Sequence, residues 1–196
     1  MNLPDTLTLS RLGSAVILMV LLALSFPFCK SLALLVFVLG SITDYLDGHL
    51  ARNVYGVSPF GALMDPLTDK VMVCAAFVSF VELQLVSAIV VVCIIAREFM
   101  VTGLRLVAMN TGKVIAAGKW GKHKTVWQIV AIIIILLGLA IRDDMLGHAG
   151  SAFLAQYDLA FGFVAHAVSI AAALITVGSG AVYLHQHRNL LIGQFK

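Results

Sequence analysis

The chain has 196 residues, 61% of them hydrophobic and only 12% charged, with a mean hydropathy of +1.01. That is far more apolar than a soluble domain, so lipid is its main solvent and a water-soluble enzyme is the weaker reading. The net charge of +3 is small and no basic run is interleaved with aromatics, so nucleic-acid binding has no footprint here.

Taken in chain order, the first ten residues predict a short amphipathic helix. Leu3, Leu7 and Leu9 face lipid, and Asp5 or Thr6 stands near its start. With no basic n-region and no small-residue cleavage site, this segment is read as part of the membrane domain and not as a removable signal. Apolar runs then predict six transmembrane helices near residues 8–27, 32–53, 61–82, 85–109, 122–141 and 157–184, each near the ~20 residues that span a bilayer. The fold class is therefore an all-α membrane protein, one domain over residues 1–196. Turns are expected at Ser25–Ser31, Asn53–Pro59 and, very tightly, Glu82–Gln84; longer connections run Asn110–Gly121 and Arg142–Gln156.

Six spans put both termini on one side. That side holds every Lys and Arg of the chain except Lys30 and Arg142, which the positive-inside rule assigns to the cytoplasm. Cys29, Cys74 and Cys93 share no ligand spacing and are expected to pack. His166 is expected to be a hydrogen-bonded packing residue, while Trp120, Trp127 and Tyr183 fit an interfacial aromatic belt.

The chemistry is concentrated at the start of the chain. Asp44 and Asp47 fall toward the cytoplasmic end of the second span, and Asp65 and Asp69 begin the third. Spacings of three and four put each pair on one helix face, and the short turn makes the helices antiparallel neighbours. Each carboxylate placed at mid-membrane costs ~2.5–3.5 kcal/mol. Arg52 and Lys70 offset only part of four such charges, whereas two divalent cations, Mg²⁺ or Mn²⁺, would balance them. Interfacial aspartates at helix starts would explain any one of the four, but four at helix-face spacing point to function.

The run Asp44-x2-Asp47-Gly48-x2-Ala51-Arg52-x8-Gly61-x3-Asp65-x3-Asp69 resembles the signature of the CDP-alcohol phosphotransferase family. The resemblance implies that Asp44, Asp47 and Asp65 bind one metal, that Asp44, Asp65 and Asp69 bind the other, and that Asp69 accepts the proton of the attacking hydroxyl. It also implies a CDP site lined by Gly48, Ala51 and Arg52, and a glycine at Gly61 leaves room for close approach by a ligand. Segments 2–11, 60–70, 96–105 and 118–125 are similar to family members that transfer a phosphatidyl group from CDP-diacylglycerol to sn-glycerol 3-phosphate. A bacterial inner-membrane location, an active site toward the cytoplasm and membrane-lipid substrates follow from that resemblance, and a homodimer is compatible with it. Beyond about residue 142 the likeness fades.

A phosphate-bearing acceptor also has support in the residues themselves. Only about twelve apolar residues precede Arg97, so Arg97, Glu98 and Arg105 belong to a helix facing a polar cavity. Arg97 and Arg105 are eight apart on one face, and Lys122 and Lys124 open the fifth span on the same side. This predicts an acceptor-phosphate site built from Arg105 and Lys122 with Arg97 and Lys124, in which Glu98 holds a base in place. Positive-inside topology alone is the competing account of these charges. Cardiolipin or phosphatidylinositol-phosphate synthesis by the same family, a membrane prenyltransferase and a cation transporter are the rival functions. The Gly48, Ala51 and Arg52 spacing argues against the prenyltransferase, and a single interfacial cluster without internal repeats argues against transport.

Overall fold

The computed structural model describes residues 3–54, 59–110, 119–146 and 150–186, with side chains over 10–43, at 68, and over 70–108, 124–146 and 150–186. Among these residues the chain is all-helical: α1 Leu3–Ala23, α2 Cys29–Val54, α3 Pro59–Glu82, α4 Ala88–Asn110, α5 Lys119–Ala140 and α6 Ser151–Gln186. A π-helical turn, Ile141–Met145, extends α5. The order and register of these helices follow the six apolar runs.

Two expectations need correction. The amphipathic lead-in and the first span form one continuous helix, because Pro4 sits in the first turn, where it is tolerated, and no proline follows before Ala23. The Ser14 hydroxyl donates to the Ser10 carbonyl at 2.9 Å, which keeps a polar residue satisfied inside the helix. The long connection over 142–156 is mostly helical, since the π turn and the first turns of α6 occupy it. Polar contacts tie this stretch to its neighbours. The Tyr157 hydroxyl donates to the Gly138 carbonyl at 2.9 Å, and Arg142 forms a two-pronged pair with Asp158 at 2.5 and 3.0 Å.

The Glu82–Gln84 turn is as tight as expected. Gln84 adopts φ of 60°, and the Leu85 N–H reaches back to the Phe80 carbonyl at 2.9 Å, closing α3 with a left-handed cap. At the α1–α2 turn Phe28 has φ of 65°. Pro59 opens α3 at a position where its missing N–H costs nothing. Residues 55–58 of the expected Asn53–Pro59 turn lie outside the described residues.

α1 packs most extensively on α3, and α5 lies against α2, α3 and α6. Leu18, Leu22, Phe37, Phe77, Phe80, Ile94, Ile132, Ile135 and Leu136 are fully buried between them. Ala15, Ala33, Ala76, Ala165 and Ala172 let the helices approach closely, as small residues do in membrane bundles. The outward surface is apolar instead of polar: Ile89, Leu159, Phe163 and Leu174 are each more than two-thirds exposed. Such a surface suits lipid. By length and composition two described helical stretches can cross a membrane, Lys124–Met145 and Ser151–Gln186, and shorter apolar stretches cover Ser10–Ala23 and Cys29–Thr43. Charges at Arg11, Asp44, Lys70 and Arg97–Arg105 interrupt the remaining runs.

Candidate active site

α2 carries Asp44, Asp47, Gly48, Ala51 and Arg52, and α3 carries Gly61, Asp65 and Asp69. Both stretches are helical without a break, so the spacings of three and four hold each set to one helix face. The side chains of these residues lie outside the described ones. What the structure does describe is how the two helices meet just beside them. Gly40 of α2 accepts the terminal methyl of Met72 of α3 at the place where a Cβ would sit. Gly40 precedes Asp44 by four residues and Asp47 by seven, while Met72 follows Asp69 by three and Asp65 by seven. The faces in contact at Gly40 and Met72 are therefore the faces that bear the two carboxylate pairs. A residue larger than glycine at position 40 would displace the end of the Met72 side chain, a shift that this flexible side chain can make. On the approach to the acidic set, the Ser41 and Thr43 hydroxyls donate to carbonyls one turn back, so the helix reaches Asp44 with its polar groups satisfied.

Carboxylate oxygens are hard donors, a type that suits Mg²⁺ or Mn²⁺ better than softer metals.

A second group of polar residues is buried between α4, α5 and α6. Glu98 is its hub. One oxygen of its carboxylate accepts from the Lys124 ammonium, from Arg97 Nη1 at 3.4 Å and from Gln128 Nε2 at 3.4 Å. Gln128 also donates to the Thr176 hydroxyl at 3.0 Å, and Arg97 Nη2 donates to the Ser179 hydroxyl at 3.0 Å. Arg97, Glu98 and Lys124 are all more than nine-tenths buried. Lys70, one residue beyond Asp69, is close enough to Glu98 and Lys124 to act on both electrostatically. The basic group is therefore within electrostatic reach of α3 at Lys70. Arg105 lies two turns beyond Arg97 on α4; its Nε donates to the Tyr183 hydroxyl at 3.3 Å, and its guanidinium sits 5.4 Å from the centre of the Tyr183 ring.

Of the residues expected at an acceptor-phosphate site, Arg97 and Lys124 are thus brought together by Glu98, and Arg105 stands nearby against α6. Lys122 belongs to α5, with its side chain outside the described ones. Glu98 holds not one base but two. Tyr183 is not an interfacial belt residue: it is buried and its ring faces Arg105. Trp127 is half exposed on the apolar surface, and Trp120 lies outside the described side chains. His166 bonds to the Gly162 carbonyl of its own helix at 2.9 Å, yet it is exposed and does not pack. Cys29 is buried as expected, while Cys93 is exposed. Gln128, Thr176, Ser179 and Tyr183 were missed as site residues. Their signal was a polar stripe within apolar helices, with Ser169, Thr176 and Tyr183 recurring at sevenfold spacing on α6.

Comparison with known proteins places the chain in a family. The profile of the CDP-alcohol phosphatidyltransferase family matches residues 1–177. Curated relatives named CDP-diacylglycerol--glycerol-3-phosphate 3-phosphatidyltransferase include one from Bacillus subtilis, 40% identical over 69% of this chain and 77% of its own length. Others are from Rickettsia bellii, 34% identical over 70% and 76%, and from Pseudomonas fluorescens, 35% identical over 69% and 72%. The chain belongs to the CDP-alcohol phosphatidyltransferase family, and the resemblance seen in its Asp44–Asp69 signature is borne out. It is a phosphatidyltransferase of a family that generally uses divalent metal.

Proposed function

We propose that the protein transfers the phosphatidyl group of CDP-diacylglycerol to the hydroxyl of sn-glycerol 3-phosphate, forming phosphatidylglycerol phosphate and releasing CMP. The activity for which the relatives are named supports this reading. The observation that carries the choice of acceptor is the buried basic group beside the acidic helices. Arg97 and Lys124 share the single carboxylate of Glu98, with Arg105 close by, so among the described residues this buried group has more basic side chains than carboxylates, which suits a phosphate dianion.

Two divalent cations, Mg²⁺ or Mn²⁺, held by Asp44, Asp47, Asp65 and Asp69, would supply charge stabilisation to the attacking and leaving oxygens. The chain's own residues do the remainder. Gly48 and Ala51 leave room along α2 for the nucleotide, Gly61 does so on α3, and Arg52 offsets the diphosphate charge. Arg105 and Lys122, with Arg97 and Lys124 behind them, bind the acceptor phosphate and so fix its free hydroxyl against the lipid-bearing phosphorus. As the hydroxyl oxygen bonds to that phosphorus, its proton passes to Asp69 and the bond to the oxygen of CMP breaks.

Six membrane-spanning helices, cytoplasmic termini and an active site facing the cytoplasm of a bacterial inner membrane complete the reading. The distribution of Lys and Arg and the apolar outer surface support it. The test is CMP release from CDP-diacylglycerol by the purified protein with a panel of acceptors. Release that depends on glycerol 3-phosphate is expected. A preference for phosphatidylglycerol or inositol phosphate would reassign the acceptor within the family, and cation flux into proteoliposomes without CMP release would replace the enzyme by a transporter.

A further inference from the structure

The last turns of α6 lie beyond the residues matched by the family profile, yet they hold two groups of the basic cluster. We propose that Ser179 and Tyr183 are a positioning pair that converges Arg97 and Arg105 onto one acceptor phosphate; this rests on the acceptor reading above.

The geometry supplies the reason. Arg97 and Arg105 are eight residues apart, about 12 Å along α4, whereas Ser179 and Tyr183 are four apart, about 6 Å along α6. Arg97 Nη2 is drawn to Ser179 and Arg105 Nε to Tyr183, so both guanidinium groups are anchored on one short stretch of α6. The two arginines are then equipped differently: Arg97, with Nη1 on Glu98 and Nη2 on Ser179, adds its charge, and Arg105 keeps its terminal nitrogens for the phosphate. The Ser179 hydroxyl donates to the Thr176 carbonyl at 2.8 Å, which turns its lone pairs to Arg97. Tyr183 occupies the Nε edge and one flank of Arg105, and the terminal nitrogens of Arg105 have no partner among the described residues. Those two nitrogens are the ones that grip a phosphate as a fork. Gly180 completes the seat: a Cβ there would come within 2.7 Å of Arg97 Cγ, so only glycine lets the arginine lie flat on α6. A tyrosine at 183 thereby sets the direction of Arg105 without touching substrate.

The experiment measures both substrates separately in the full-length protein, purified in detergent with saturating metal. Tyr183→Phe keeps the ring and removes one oxygen, and Ser179→Ala removes the acceptor of Arg97. Each is expected to raise the KM for glycerol 3-phosphate about fivefold, the equivalent of one hydrogen bond, and Tyr183→Leu, which removes the ring as well, about twentyfold or more. The maximal rate at saturating acceptor and the KM for CDP-diacylglycerol should stay within about twofold of the parent, a split that general loosening of the bundle would not produce. Thermal unfolding of each variant reports whether it is folded, and Tyr183→Phe, the mildest change, decides if the others are not. Should Arg105→Ala raise the acceptor KM while a folded Tyr183→Phe leaves it unchanged or lowers all constants together, the positioning pair is refuted and the acceptor site stands. Should Arg105→Ala also leave acceptor dependence unchanged, the acceptor reading itself fails.

Discussion

At the end of the bundle where α1 turns into α2, Lys30 donates to the carbonyls of Leu22 and Leu24 at 2.5 and 2.9 Å and caps α1. Asp144 accepts from the N–H groups of Phe28 and Ser31 and from the Ser31 hydroxyl, and so caps α2 from the π turn after α5. In the opposite half, Arg97 and Lys124 compete for one oxygen of Glu98, and Arg105 rests on a tyrosine. The residue types are the same, but their accounts close differently. Each charge at the first end is consumed by a helix terminus or an oppositely charged neighbour, which is what a structural role requires. Among the described residues the second cluster sets three basic side chains against one carboxylate, an imbalance that membrane burial penalises. On the acceptor reading proposed above, counting partners separates charges that hold the fold from charges that meet substrate.

The sharpest break in that comparison comes from metal. Chelation of divalent ions should abolish CMP release, and Mg²⁺ or Mn²⁺ should restore it, because four carboxylates on α2 and α3 have too little protein countercharge to work alone. Full turnover in excess chelator would remove the two-metal reading. Asp69→Asn should lower the maximal rate by about a thousandfold while the KM for CDP-diacylglycerol changes little, as a proton acceptor acts in the transition state. If the loss lay wholly in lipid affinity, Asp69 would be a binding residue.

Glu98→Gln tests the hub. It leaves Lys124 and Arg97 buried without countercharge, and breaking a buried pair costs ~3–5 kcal/mol. The thermal midpoint in detergent should fall clearly, and Glu98→Gln combined with Lys124→Met should recover part of it, since the second change removes the orphaned charge. A midpoint that stays where it was would mean that water or lipid, and not Glu98, satisfies the two cations.

How much of this was legible beforehand follows the range of the interaction. The carboxylate spacing is local, so the positions of Asp44 and Asp47 on α2, and of Asp65 and Asp69 on α3, could be read without knowing the fold. The tight Glu82–Gln84 turn was legible for the same reason. The partners of Lys30, Arg97 and Arg105 were not, because which side chains meet across helices depends on helix rotation and register, and no short-range pattern encodes that. From sequence alone Lys30 reads as a topological charge and Tyr183 as interfacial, whereas Lys30 meets the α1 terminus and the Tyr183 ring lies against Arg105. The fusion of the lead-in with α1 was missed because amphipathic and apolar helix share one backbone, and only a breaker would have divided them.

At the capping end, Asp144→Ala removes three hydrogen bonds at the start of α2. A lost cap costs about 1–2 kcal/mol, so the thermal midpoint should drop less than for Glu98→Gln. Both KM values should be those of the parent at temperatures where the variant is folded. A changed acceptor KM would show that the two ends communicate, against the division drawn here.

The smallest effect is expected at Arg142 and Asp158. Their contact is well formed, with Nε and Nη2 each meeting one carboxylate oxygen, and Arg142 reaches Asp143 at 2.8 Å as well. Geometry alone would rank it above the Glu98 cluster. Exposure reverses the order: the two side chains are 43% and 40% exposed, so water screens the attraction, and ordering two long side chains offsets much of what remains. A double-mutant cycle with Arg142→Ala and Asp158→Ala, read by thermal unfolding in detergent, should give a coupling of no more than about 1 kcal/mol, and added salt should shrink it. Asp143 lowers the expectation further for Asp158→Ala alone, because it remains to partner the arginine. A coupling of several kcal/mol, insensitive to salt, would place this pair inside the low-dielectric slab instead of at its edge. It would then move the boundary of the membrane past the π turn and lengthen the buried part of α6.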